Sequence, residues 1–177
     1  LLYLLCGLLS EKTVAMDERG FPQAERVFAD CGFSVLHLPA DRDGIRMDAL
    51  EASGVRAVLV RPSHSVQSGT AMPMNRRFAL LEWAKAHRAL VIEDDYNGEL
   101  RYNARPIPAM QGMASGEQVA YIGSFSKLLL PSVRIGYMVL PSSLLADYRS
   151  RVRSYNQTAS KVEQLALCSY VKSGQLE

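Results

Sequence analysis

An α/β domain built on a mainly parallel sheet is predicted by three features of this sequence. Segments such as "RAVLVRP" (56–62) and "ALVIEDDY" (89–96) begin as continuous apolar runs, the pattern of strands covered on both faces. Stretches with helical spacing separate these runs, so successive strands alternate with helices and run the same way. No repeat, low-complexity tract or flexible linker interrupts the chain. Its 177 residues, 48% hydrophobic and 21% charged, suffice for one domain with a sizeable core.

The elements follow in order. Leu1–Leu9 reads as the end of a buried helix that stops near Ser10. "TVAMDE" (13–18) is a strand that runs into the turn "RGFPQ". "QAERVFADCG" places Ala24, Val27, Phe28 and Cys31 at helical spacing, with Gly32 as the stop. "SVLHLP" (34–39) alternates like a strand, "DRDG" (41–44) is a turn, and "MDALEAS" is a short helix. After the strand at 56–62, "MNRRFALLEWAKAHR" (74–88) is amphipathic, with Phe78, Leu81 and Ala84 or Lys85 near one face. "VAYIGSF" (119–125) and "RIGYMVLP" (134–141) are further strands, and "SSLLADYRSRVRSYN" and "SKVEQLALCSYVKSG" are helices.

Composition excludes several functions. A net charge of +2 gives no electrostatic case for nucleic acid or an anionic membrane, and the basic run "RSRVRS" (149–154) reads as a solvated helix face. The apolar run "LLYLLCGLL" covers nine residues, too few to span a bilayer, and no basic stretch precedes it as in a signal peptide. Cys6, Cys31 and Cys168 are far apart and unpatterned, which suits thiols in a reducing, cytoplasmic setting. "ALVIEDDY" also looks like the acidic strand of a P-loop ATPase, but the required G-x-x-x-x-G-K-[ST] segment is missing. No ligand spacing supports a metal site from Glu93, Asp94, Asp95 and His64.

Ligands of such sheets bind at the carboxyl ends of the strands. Two unusual motifs fall there: "EDDY" after "ALVI", and "SFSK" after "VAYIG". Lys127 lies among hydroxyl residues and leucines, and Arg134 follows among apolar neighbours, company in which a charge needs a partner. Ser124, Ser126 and the planar fork of Arg134 suit phosphate oxygens. With Lys127, Asp94 and Tyr96 they suit pyridoxal 5′-phosphate (PLP). That cofactor needs an amine to attack its aldehyde, an acid against its pyridine nitrogen, a hydroxyl at its phenolic oxygen and a flat aromatic over its ring. Phe21 in "RGFP" is the candidate aromatic.

"SFSKLLLPSVRIGY" resembles the lysine segment of class I/II aminotransferases of PLP fold type I. Together with "RPSHSVQSGTAMPMNRRFALLEWA" and "VIEDDYNGELRYNARPIPAMQG", it is similar to the aminotransferase-like domain of MocR-type regulators in the GntR superfamily. The resemblance covers nearly the whole chain. It implies a three-layer αβα large domain of the aspartate aminotransferase-like PLP-dependent transferases, spanning 1–177 and incomplete at both ends, with 158–177 leading toward a small domain. It also implies that Lys127 holds PLP as a Schiff base, Asp94 pairs with the pyridine nitrogen and Tyr96 meets the phenolic oxygen. Ser124, Ser126 and Arg134 would bind phosphate, and Phe21 would stack on the ring. A homodimer, an amine or amino acid as effector or substrate, and DNA binding through a domain outside this chain are implied in the same way. A glycine-rich phosphate loop is expected upstream of Leu1, and an arginine for the substrate carboxylate beyond Glu177.

Two departures bear on activity. Gln67-Ser68-Gly69 stands where the family has Pro-Thr-Gly, and Val66 fills a slot where aminotransferases often place an Asn. Val66 cannot donate a hydrogen bond, which bears on transamination more than on PLP binding. His64 in "PSH" fits the regulators' pattern, with a structural hydrogen bond and a cofactor contact both open as its role. An effector-sensing domain and a working aminotransferase are the two functions compatible with these residues.

Overall fold

Strand order shows how the chain builds its site. In the computed structural model, which describes residues 1–63, 71–95, 107–114, 117–126, 134–152, 154 and 159–174, a six-stranded sheet runs β2-β1-β5-β6-β7-β8. Its strands are β1 (Thr13–Asp17), β2 (Ser34–Leu38), β5 (Ala57–Val60), β6 (Leu90–Asp95), β7 (Val119–Ser124) and β8 (Gly136–Val139). All neighbours pair parallel except β7 and β8, which pair antiparallel. The mainly parallel sheet therefore carries one antiparallel edge. The expected turn at 41–44 closes a separate small hairpin, β3 (Ala40–Asp41) with β4 (Gly44–Ile45).

Helices cover both faces, giving the three-layer αβα arrangement. On one side, α1 (Leu2–Leu8) and α2 (Pro22–Asp30) pack Leu5, Cys6, Ala24 and Phe28 onto Val14, Met16, Leu59, Ile92 and Ala120 of the sheet. On the other side, α3 (Met47–Ser53), α4 (Met74–His87) and α5 (Met110–Met113) pack onto Ala15, Val58, Val60, Val91 and Val119. Successive residues of each strand thus face opposite layers, as the pleat requires. Burial follows position in the sheet. Every residue of central β5 is buried, whereas edge strand β2 buries only Leu38. Helix α2 ends with Gly32 at a φ of 77°, the left-handed conformation that glycine takes without steric cost.

Helix α4 corrects the sequence reading. Its inward side chains are Arg77, Leu80, Leu81, Trp83 and Ala84, while Phe78 is 53% exposed. The amphipathic stripe is rotated because a charged residue takes the inner position. Arg77 is fully buried and donates from Nε to the Met72 carbonyl (3.1 Å), from Nη2 to Pro62 (2.9 Å) and from Nη1 to Pro108 (3.1 Å). Its guanidinium lies 3.8 Å from the equally buried Glu93 carboxylate. Both Glu93 oxygens accept backbone N–H bonds, from Met110 (2.9 Å) and Gln111 (3.0 Å). Its neighbour Arg76, partly buried, pins the hairpin through Asp41 at 2.8 Å. That hydrogen bond from Arg76 holds the Asp41 carboxyl below its ordinary range.

Helices α6 (Ser142–Val152) and α7 (Lys161–Lys172) have no buried residue, and Val162 and Leu165 are 76% and 69% exposed. No helix among the described residues is long and apolar enough to cross a membrane.

Candidate active site

Strand direction gathers the site at one edge of the sheet. The carboxyl ends of β1, β5, β6 and β7 lie together because these strands are parallel, and antiparallel β8 starts at the same edge. From β1 the chain passes first to β2 on one side and then to β5 on the other. The crevice at such a reversal is where doubly wound sheets bind ligands.

Phe21 caps the start of α2, four residues after β1 ends. It lines one cavity with Asp94 of β6, bounded also by Leu59 and Ile122. Asp94 is half-buried, and its carboxylate makes no hydrogen bond among the described residues. Burial pushes its pKa up to about 6, opposed by the positive charge of Arg61. Asp95, one residue on, faces the opposite layer, where its Oδ2 accepts a 3.1 Å hydrogen bond from the Tyr121 hydroxyl. Burial raises the Tyr121 pKa strongly. The two adjacent acids therefore have different surroundings: Asp95 has one oxygen bonded to Tyr121 and the other buried without a hydrogen-bond partner among the described residues, and Asp94 opens into the cavity.

Ser124 ends β7, and the Ser126 backbone N–H donates to its Oγ at 3.2 Å. Ser124 pairs with Gly136 across the β7–β8 ladder, and the Phe125 N–H donates to the Ile135 carbonyl at 3.0 Å. This pairing brings Arg134 to the same sheet edge as both serines. Arg134 is exposed and has a φ of 49°, a left-handed conformation uncommon for a residue with a Cβ. It lines a different cavity from Phe21 and Asp94, one walled by β8, α6 and α7. Gly123 is the close approach in this region. A Cβ there would fall 2.5 Å from the Tyr137 ring, so the ring lies directly over the glycine.

Tyr96 and Lys127 lie outside the described residues, as do His64, Val66 and Gln67–Gly69. Among the described residues, the structure brings Phe21 to Asp94 and places Ser124, Ser126 and Arg134 at the neighbouring strand ends. Sequence reasoning overlooked Arg61, whose guanidinium carbon sits 4.7 Å from the centre of the Phe21 ring. The usable signal was its position: it follows β5 directly, at the edge that also carries "EDDY" and "SFSK".

The family model for aminotransferase class I and II matches residues 1–176. The chain belongs to the class I and II aminotransferase family. Aminotransferases of this family depend on PLP. One similar protein is the uncharacterized HTH-type transcriptional regulator YdeL of Bacillus subtilis, 39% identical over 99% of this chain and 38% of its own length. Another is the probable rhizopine catabolism regulatory protein MocR of Rhizobium meliloti, 35% identical over 90% of this chain and 32% of its own length. Among solved structures, the kynurenine aminotransferase of Pyrococcus horikoshii, in complex with PMP, superposes with a TM-score of 0.89 at 27% identity. That match covers 99% of this chain and 46% of the enzyme. The chain thus spans about a third to just under half of the length of these proteins.

Proposed function

We propose that this chain is the PLP-binding, effector-sensing part of a bacterial transcription regulator of the MocR type. The observation that carries the reading is its similarity to regulators across nearly the whole chain, at 39% and 35% identity, against 27% for the solved aminotransferase. DNA binding belongs to a part of the whole protein outside this chain. The whole protein is proposed to be a cytoplasmic homodimer, with 1–177 as its large domain and 158–177 leading toward a small domain. The exposed apolar side chains of α7 suit a helix that packs against further chain.

The residues present fit PLP. A half-buried carboxylate without a hydrogen-bond partner among the described residues, in one cavity with an aromatic ring, suits a flat heterocycle with a protonated nitrogen. When bound, PLP supplies an electrophilic carbon for amines and a ring that withdraws electrons. In this reading Asp94 holds the proton at the ring nitrogen, and Phe21 covers one ring face and excludes water from it. Ser124, Ser126 and Arg134 fix the phosphate, Tyr96 donates to the phenolic oxygen, and the Lys127 amine anchors the cofactor.

An amine or amino acid that displaces the Lys127 amine would be sensed as a change in the pocket. Catalysis of transamination would also require Lys127 to move a proton at the substrate Cα. The likeness to the kynurenine enzyme is the observation that favours this second reading. Full-length protein loaded with PLP and titrated with a panel of amino acids and amines separates the two. The expected result is a ligand-dependent change in the visible spectrum and in DNA binding, without accumulation of a 2-oxo acid. Sustained release of a 2-oxo acid would assign the chain to the enzymes instead.

A further inference from the structure

Arg61 touches one of the two described residues that face the proposed ring site and adjoins the other. Pairing of β5 with β6 sets Val60 opposite Glu93, so one step further along both strands sets Arg61 beside Asp94. Its guanidinium lies over the Phe21 ring at 4.7 Å, and Nη2 donates to the Gly20 carbonyl at 3.2 Å. Gly20 has a φ of 64° and forms the turn that delivers Phe21 into α2. Arg61 therefore grips both the ring and the backbone bend behind it. It makes no hydrogen bond to Asp94 and acts on the carboxylate through space.

The surroundings of Asp94 leave Arg61 as the one favourable charge among the described residues. From α1, α2 and β7 the cavity receives Leu2, Gln23, Ala24, Val27 and Ile122, none of them charged. Asp95 adds a like charge from the opposite face, and Arg61 opposes it.

We infer that Arg61 is a positioning residue that presets Phe21 and Asp94, holding the ring by a cation–π contact and a hydrogen bond to the turn behind it, and keeping the carboxylate ionised. A guanidinium can do both. An ammonium supplies the charge without the flat face. This inference rests on the PLP reading for its purpose, but the preset arrangement is a property of the protein without cofactor.

The test uses full-length, cofactor-free protein labelled with ¹³C at Asp carboxyls and Phe rings, as wild type, Arg61→Met, Arg61→Gln and Arg61→Lys. In the two neutral variants the Asp94 titration midpoint should rise by about half a pH unit or more, and the Phe21 ring signals should collapse to a motionally averaged set. Arg61→Gln gives the same reading if Arg61→Met does not fold. In Arg61→Lys the Asp94 midpoint should stay near wild type while Phe21 still loosens. PLP affinity, measured by equilibrium dialysis, should fall about tenfold in the neutral variants, as expected for losing one charge-dependent contact. An unchanged Asp94 midpoint and an unchanged Phe21 in the neutral variants overturn the inference, even if wild type binds PLP. The expected Asp94 and Phe21 changes in a protein whose wild type does not bind PLP would support the preset arrangement and refute the cofactor reading.

Discussion

Arg77→Met is expected to destabilise the protein by about 3–5 kcal/mol, the penalty for leaving one member of a buried ion pair without the other. Glu93 would remain fully buried, with two backbone N–H bonds but no cation among the described residues. Three carbonyls, of Pro62, Met72 and Pro108, would lose a charged donor at the same time. Against a total stability of about 5–15 kcal/mol for an ordinary domain, that is a large share. Urea denaturation followed by circular dichroism reads it directly. Glu93→Leu alone should be comparably damaging. The double variant Arg77→Met/Glu93→Leu should cost clearly less than the sum of the two, because the second change removes the charge that the first left stranded. Strict additivity would show that the pair acts as two independent anchors.

Asp94→Asn is expected to weaken PLP binding at least tenfold, since a charge-assisted hydrogen bond to the ring nitrogen contributes about 1.5–3 kcal/mol. The same substitution should stabilise the cofactor-free protein at neutral pH. Burial lifts the Asp94 pKa to about 6 from its ordinary 3.8, so the folded protein holds this proton more tightly than the unfolded chain does. Stability contributed by this group is therefore greatest at low pH and declines as pH rises from about 4 through about 6. Asn has no such penalty. The variant should gain roughly 1 kcal/mol over wild type at pH 8, allowing for the solvent that reaches a half-buried group, and the gain should vanish toward pH 4. Thermal melts across that range test the sign. Asp95→Asn should leave PLP binding nearly unchanged, because Asp95 is engaged with Tyr121 on the other face. Loss of binding in Asp95→Asn with retention in Asp94→Asn would reverse the two assignments.

These two sites differ in how far the sequence announced them. The strand ends carrying "EDDY" and "SFSK" were legible because long apolar runs fix where buried parallel strands lie, and parallel strands put their carboxyl ends at one edge. The alternation of side chains along β6 then separates Asp94 from Asp95 without further information. Arg77 was not legible. In "NRRF" two arginines sit side by side, and composition cannot tell which turns inward. Hydrophobicity assigns the inner position to Phe78, whereas five guanidinium N–H groups surrounded by carbonyls and a carboxylate make Arg77 the better occupant. The antiparallel pairing of β8 was hidden for a related reason. A short apolar strand reads the same in both directions, and its orientation shows only in its register with β7, where Tyr121 faces Val139 and Ser124 faces Gly136. Arg61 was visible as a residue but not as a participant, because its partners Gly20 and Phe21 lie about forty positions away in sequence, a separation of 41 for the Gly20 contact.

Covalent attachment of PLP to Lys127 is the central claim, and one measurement addresses it directly. Full-length protein is incubated with PLP, reduced with borohydride, digested and analysed by mass spectrometry. The predicted result is one reduced pyridoxyl group per chain, on the peptide that contains Lys127, and its loss in Lys127→Ala. A pyridoxyl group on a different lysine, or a folded protein that acquires none, would contradict it.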